Sequence, residues 1–252
     1  MIEININPVV LTVDSLGIEW DLIVGVLAAM LALLLFVTEA SNFRLQKVHI
    51  FALCVLIPLS GFIGARLFFI IENLLFYHDT GPIIGPGLRA YGLFIGAVVA
   101  GPIYARITRI PLWQLSDIGI PCLILFMAVY RVGCVLVGCC YGLPCDLPWA
   151  VMYINPSSAA PLRMPIHPTQ LYHLVWTMLV FVVVWMLRKR FSTAGLLTLV
   201  ALILYSVGDF AIRLFRGNEP SLLGLALSQV TGLIIVVVAV SLLILRLKTA
   251  VR

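Results

Sequence analysis

Seven apolar stretches recur along this chain, each close to the length needed to cross a bilayer, and no other feature constrains the fold as strongly. They run approximately 21–37, 48–71, 88–105, 117–137, 168–187, 193–212 and 222–245. A helix needs about 20 predominantly apolar residues to cross about 30 Å of hydrocarbon. Composition agrees: 62% of the residues are hydrophobic and 11% are charged, whereas an ordinary soluble domain is about 25% charged. The expected class is an all-α polytopic membrane protein of about seven transmembrane helices, organised as a single transmembrane domain over 1–252. The first eight residues, Met-Ile-Glu-Ile-Asn-Ile-Asn-Pro, carry no basic n-region and no cleavage site, so the first span is expected to stay in the protein.

Basic residues set an expected orientation. Arg44 and Lys47 follow the first span, Arg106 and Arg109 the third, Arg188, Lys189 and Arg190 the fifth, and Arg246, Lys248 and Arg252 the seventh. With seven spans these clusters share one side, while Glu3, Asp14, Glu19, Glu72, Asp79, Asp146 and Glu219 fall on the other. The positive-inside rule then places the N-terminus outside and the C-terminus in the cytoplasm, as expected for a multi-pass protein of a bacterial cytoplasmic (inner) membrane. The formal net charge of +5 follows from this asymmetry and from head-group contact, and makes no case for nucleic acid. The longest polar connection, about 138–167, is an extracytoplasmic loop in this topology and carries cysteines. A connection this long is usually functional.

Several arginines are not explained by topology. Arg131 lies near the end of the fourth span and opens the run Tyr-Arg-Val-Gly-Cys-Val-Leu-Val-Gly-Cys-Cys-Tyr-Gly-Leu-Pro-Cys at 130–145. A guanidinium costs about 3 kcal/mol near the centre of a membrane helix and less toward its end, and it keeps its charge at physiological pH. Such a group binds an anion or lines a wet cavity. Arg66 sits among small residues in the second span, and Arg213 and Arg216 close the sixth. Their forks match phosphate oxygens if they converge; each snorkels to the head groups if they do not. Arg66 and Arg131 read as inward-facing, Arg216 as snorkelling, and Arg213 fits either description. Asp209, one turn before Arg213, is placed for an intrahelical ion pair or for a catalytic carboxylate. Asp21 and Asp117 read as helix N-caps. Gly92 and Gly96, four apart, allow close approach of a neighbouring helix, and Tyr91 beside them is a belt tyrosine or a hydroxyl aimed at a head group.

Cys54 and Cys122 lie inside spans and read as small buried hydrophobes. Cys134, Cys139, Cys140 and Cys145 cluster in or beside the outer loop. A disulfide, for instance of Cys139 or Cys140 with Cys145, is the first reading of that cluster in an oxidising compartment. A reactive thiol favoured by Arg131 comes second. A metal comes last, because the spacing fits no standard zinc pattern, and none is expected. The fifth span opens Met-Pro-Ile-His-Pro-Thr-Gln-Leu-Tyr-His at 164–173. His167, Gln170 and Tyr172 make a polar helix start. His167 is either a general base or a tie between loop and helix, and His173 reads as structural.

Taken together these stretches resemble the prolipoprotein diacylglyceryl transferase family from about residue 20 to 238. The landmarks are Gly-Ala-Arg-Leu at 64–67, Tyr-Gly-Leu-Phe-Ile-Gly at 91–96, Asp117, and Arg131 with Gly133, Gly138 and the Tyr-Gly at 141–142. His-Pro-Thr-Gln-Leu-Tyr at 167–172, Gly208, Phe215-Arg216 and Ser228-Gln229 complete the set. The resemblance implies transfer of diacylglycerol from phosphatidylglycerol to the thiol of a lipobox cysteine in a preprolipoprotein, with release of glycerol phosphate and no cofactor. The departures are specific. Tyr91 stands where the family has histidine. Cys134, Val137 and Cys139 replace two asparagines and a glutamate of the signature. Asp209 and Arg213 stand where arginine and glutamate are expected, so the charges are swapped.

This pattern is that of a divergent paralogue. The expected function is a membrane transferase with a glycerophospholipid donor and a prolipoprotein or related acceptor at the outer face. Arg131, His167 and Tyr91 are its catalytic candidates. Arg66, Arg213, Arg216, Gln170, Tyr172, Gly133 and Gly138 are its candidates for binding substrate. The alternatives are a membrane thiol–disulfide protein working through Cys139, Cys140 and Cys145, and a non-catalytic lipid-binding or transport paralogue.

Overall fold

The computed structural model describes residues 1–13, 16–72, 74, 90–216, 221–222 and 225–250. Asp14, Asp79, Arg89, Glu219 and Arg252 lie outside them. Seven helices make up most of the chain: α1 Trp20–Asn42, α2 Lys47–Glu72, α3 Ala90–Thr108, α4 Leu112–Val137, α5 Thr169–Leu187, α6 Leu196–Arg213 and α7 Leu227–Ala250. By length and composition six of them can cross a membrane; the described apolar part of α3, Ile95–Thr108, is shorter. The protein is therefore an all-α, multi-pass membrane protein. Its outer surface is apolar, with Phe51 73% and Ile107 75% exposed, which suits helices solvated by lipid. The helices overrun the apolar stretches at several ends. Asp117 is a correction: α4 starts at Leu112, five residues before that aspartate, so Asp117 is not the N-cap of α4 and lies in its second turn. Asp21 is likewise not the N-cap: α1 starts one residue earlier, at Trp20, and Asp21 in its first turn accepts a hydrogen bond from the adjacent Leu22 N–H at 2.7 Å.

Among the described residues three short two-stranded ribbons accompany the helices. β1 (Ile2–Ile4) runs parallel to β4 (Val151–Tyr153) in the 138–167 loop. β2 (Val9–Val13) and β3 (Leu16–Glu19) form a hairpin ahead of α1, and β5 (Ser221–Leu222) pairs with β6 (Leu225–Ala226) ahead of α7. Hydropathy does not register them because each strand is only two to five residues long.

The chain divides into two compact units, Met1–Ala32 with Ile120–Arg252, and Leu33–Gly119. In the first, Ile120 and Ile124 of α4 pack with Val180 and Val184 of α5 and Leu197 and Ala201 of α6. At one end of it, Arg188 stacks over Trp185 and Arg246 donates to the Ala194 carbonyl at 2.8 Å, so cations from the α5–α6 turn and from α7 share that end. In the second, Leu53 of α2, Ala105 of α3 and Leu115 form the core. There α2 and α3 meet through glycines. A methyl on Gly64 would meet the Gly92 carbonyl and sit 2.9 Å from the Gly96 Cα, and one on Gly96 would meet the Ser60 carbonyl. In lipid, with no hydrophobic force between helices, contact this close is what holds them together. Gly64→Ala is expected to cost about 1–3 kcal/mol through overpacking and to lower the unfolding temperature in detergent. An unchanged melting curve would contradict the packing described.

Candidate functional site

The site lies in the first unit, where α4 ends. The last carbonyls of a helix have no intrahelical donors, and here the loop supplies them. Tyr153 donates its hydroxyl to the Val135 carbonyl at 2.8 Å, and the Ala159 N–H donates to Val137 at 3.1 Å. Gly138 then turns the chain with φ +83°. A Cβ there would also meet the Ser158 hydroxyl and lie 3.1 Å from the Tyr153 ring. Both the left-handed conformation and the crowding require glycine.

Two residues on, Cys140 adopts φ +59°, a conformation that costs a non-glycine residue energy and is kept only where the surroundings impose it. They do so from α5. Thr169 donates its hydroxyl to the Cys140 carbonyl at 2.7 Å, and Gln170 donates its amide to the Cys139 carbonyl at 2.8 Å. Both side chains are buried, at 0% and 1% exposure. The strand-like exchange continues with Gly142 N–H to His167 carbonyl at 3.0 Å, His167 N–H to Leu143 at 2.9 Å, and Leu143 N–H to the Phe215 carbonyl at 2.7 Å. The end of α4, the start of α5 and the end of α6 are thereby joined.

The result is a group of three thiols. The Sγ atoms of Cys134, Cys139 and Cys140 all lie within 4.8 Å of one another. Cys134 is buried and the other two are half-buried. Hydrogen bonds from the Cys134 and Cys139 thiols, followed by the charges of Arg216 and Arg131, hold the Cys140 thiol below the usual cysteine range, against its burial. Hydrogen bonding to Cys134 and Cys140, and then burial, push the Cys139 thiol up. Cys145 is not in the group, and all six cysteines are free. The disulfide with Cys145 considered from the sequence is therefore not formed: the loop's turn at Gly138 and Cys140 directs its two thiols toward α4.

Arg131 is half-buried. It donates to the Tyr205 hydroxyl, and its charge acts on Cys134, Cys140 and Asp209. Asp209 accepts from the Arg213 Nε at 2.6 Å, the i,i+4 pair the sequence allowed. Its other oxygen lies 3.6 Å from Nδ1 of His173, too far for a hydrogen bond. His173 is fully buried, and among the described residues neither ring nitrogen has a hydrogen-bond partner. Arg216 acts on the Cys140 thiol from just beyond α6. His167 shares its Nδ1 with the Tyr172 hydroxyl at 3.3 Å, and that hydroxyl also accepts from Trp149 at 3.0 Å. The His167 ring packs on Phe215 with centroids 4.9 Å apart.

The structure thus brings together Arg131, Cys134, Cys139, Cys140, Gln170 and Arg216, with His167 and Tyr172 on the same loop-and-helix junction. Gln170 is engaged with the Cys139 carbonyl. Gly133 is a helix contact, where a Cβ would come 2.8 Å from the Asp21 Cα of α1. Arg66 belongs to the other unit, its guanidinium 5.5 Å from the Phe69 ring centroid. Tyr91 is in the first turn of α3, and its side chain lies outside the description. Sequence reasoning missed Thr169 and Tyr205. Tyr205, Asp209 and Arg213 follow one another at four-residue steps along a single face of α6, a polar stripe that would have revealed Tyr205.

Breaking a buried ion pair by removing one partner costs about 3–5 kcal/mol. Asp209→Ala is expected to destabilise the protein by that order, and the exchange Asp209→Arg with Arg213→Glu to recover most of the loss. A double variant no more stable in chemical unfolding than Asp209→Ala alone would show that the pairing is not what matters at these positions.

The family model for prolipoprotein diacylglyceryl transferase matches residues 8–245. The chain is 34% identical over 253 residues to the phosphatidylglycerol–prolipoprotein diacylglyceryl transferase of Dehalococcoides mccartyi, covering 98% of this chain and 96% of that protein. It is 30% identical to the enzyme of the same name from Listeria innocua over 257 residues, covering 96% and 90% of the two chains. The match to the Clostridium tetani enzyme is 30% over 197 residues, covering 76% and 78%. With seven helices, the arginine at the end of α4 and the His-Pro-Thr-Gln start of α5 in place, the chain belongs to the prolipoprotein diacylglyceryl transferase family.

Proposed function

We propose that this protein transfers the diacylglyceryl group of phosphatidylglycerol to the thiol of a prolipoprotein cysteine, at the outer face of a bacterial cytoplasmic membrane. The observation that carries the reading is Arg131: a permanent cation, half-buried where α4 leaves the bilayer, fixed by Tyr205 and facing a loop held by buried α5 side chains. The reaction joins the acceptor sulfur to the terminal glycerol carbon of the diacylglyceryl group. The bond from that carbon to the phosphate oxygen breaks, its electron pair stays on oxygen, and glycerol phosphate departs with the added charge. Arg131, with Arg216 in the same electrostatic environment, stabilises that charge as it develops. His167 takes the acceptor proton through Nε2, its Nδ1 being engaged by Tyr172. Arg213 engages Asp209 through its Nε.

Two features support the outer location. β1 pairs with β4, so the N-terminal strand and the 138–167 loop lie at one end. Arg188 and Arg246 cluster at the turn between α5 and α6, the side assigned to the cytoplasm.

In phosphatidylglycerol micelles, the purified protein is expected to release glycerol phosphate only when a lipobox peptide is offered. Arg131→Ala should lower that rate by roughly 100-fold or more. Transfer retained by this variant would overturn the role of Arg131. A reporter active only in the cytoplasm should work when fused after Arg252, and activity of a periplasmic reporter there would reverse the orientation.

A further inference from the structure

Three thiols are an odd number for disulfide chemistry, and their arrangement is built. Cys139 and Cys140 are consecutive, and in an extended chain consecutive side chains point to opposite sides. Here both converge on Cys134, because the left-handed turn at Cys140 is imposed by Thr169 and Gln170 gripping the two carbonyls. The left-handed backbone at Cys140 and the fully buried clamps that impose it serve one arrangement of sulfurs.

We infer that Cys134, Cys139 and Cys140 form a three-thiolate site for a zinc-type divalent cation, whose open fourth position takes the thiol of the acceptor. The inference rests on the transferase reading and adds how the acceptor is activated. Zinc–sulfur bonds of about 2.3 Å put tetrahedral sulfurs about 3.8 Å apart, so thiols already within 4.8 Å need only a small contraction. Among the described residues no fourth cysteine, histidine or carboxylate joins the group. Structural zinc takes four protein ligands, whereas catalytic zinc keeps three and leaves one position for substrate. Cys134 is buried whereas Cys139 and Cys140 are half-buried, so an acceptor would reach the open position past the latter two. Three thiolates around a divalent cation carry one negative charge, and a bound acceptor thiolate adds a second. The guanidiniums of Arg131 and Arg216, whose fields reach Cys140, supply the two balancing charges.

The chemistry is a substitution without oxidation or reduction. The acceptor thiol loses its proton to His167 or water on binding zinc, because a coordinating thiol is deprotonated outright. The sulfur lone pair forms the bond to the glycerol carbon, the carbon–oxygen bond breaks, and glycerol phosphate leaves. The thioether product is a weaker ligand than the thiolate and is released. The thiols at 134 and 139, where the family has asparagine and glutamate, thus supply a metal route to the thiolate.

The test uses the full chain in detergent, purified with a reductant and with its free thiols counted. Zinc content is measured, and cobalt(II) is then exchanged in as a spectroscopic probe. The expected result is about one zinc per chain, a thiolate-to-cobalt charge-transfer band, and a change in the cobalt d–d bands when a lipobox peptide is added but not its serine counterpart. Cys139→Ser and Cys140→Ser should each lose the band, and Cys54→Ser should keep it. Cys134 is left intact because it is buried in the α4 packing. Reduced wild-type protein that binds neither zinc nor cobalt overturns the site, as does binding of copper(I) alone. Peptide transfer that proceeds at full rate in zinc-stripped protein overturns the activation and leaves the transferase reading standing. A cobalt spectrum that answers to the peptide thiol without any glycerol phosphate release keeps the site and overturns the phospholipid donor.

Discussion

The grip of α5 on two carbonyls is the contact on which the site depends. A helix that ends at the edge of a membrane must satisfy its last carbonyls and those of the loop beyond, because each buried polar group left without a partner costs about 1–3 kcal/mol. Thr169 and Gln170 meet this demand for Cys140 and Cys139 from positions with essentially no exposure. They also fix where the loop's side chains can go. The left-handed turn at Cys140 and the meeting of its thiol with Cys134 follow from it.

Charge is organised in two layers around this point. Asp209 makes its short ion pair with Arg213 on its own helix, with buried His173 beside it. Arg131 instead contacts the Tyr205 hydroxyl, a neutral partner that holds the guanidinium without cancelling it. A cation kept in place by a hydroxyl remains able to meet a phosphate, whereas one locked to a carboxylate has already found its anion. The exchange of acid and base between 209 and 213, relative to the order the family resemblance implies, leaves this division intact because either order closes an i,i+4 pair.

The relatives from Dehalococcoides, Listeria and Clostridium share about a third of this chain's residues across most of its length. Shared scaffold and altered lining are separable here. Gly138 and Gly142 are held by crowding: a Cβ on either meets the residues that pack the loop. Cys134 and Cys139 are side chains presented by that scaffold, and their chemistry can change without moving the backbone that carries them.

The sequence by itself determined the class, the helices and the family, because a fixed thickness of hydrocarbon demands apolar runs of fixed length and because the landmark residues lie close together in the chain. It placed the α4 start late, at Asp117, since Leu112–Ser116 extends past the hydrocarbon where hydropathy no longer reports helix. It marked Arg131 as a charge in need of a partner and the cysteines as a cluster. Which thiols meet was decided only by tertiary structure. Cys145 is as near in sequence as Cys134, yet the turn at Gly138 and the clamps from 29 and 31 residues away select Cys134. Local spacing cannot encode that choice, because the hydrogen bonds that impose it come from another helix.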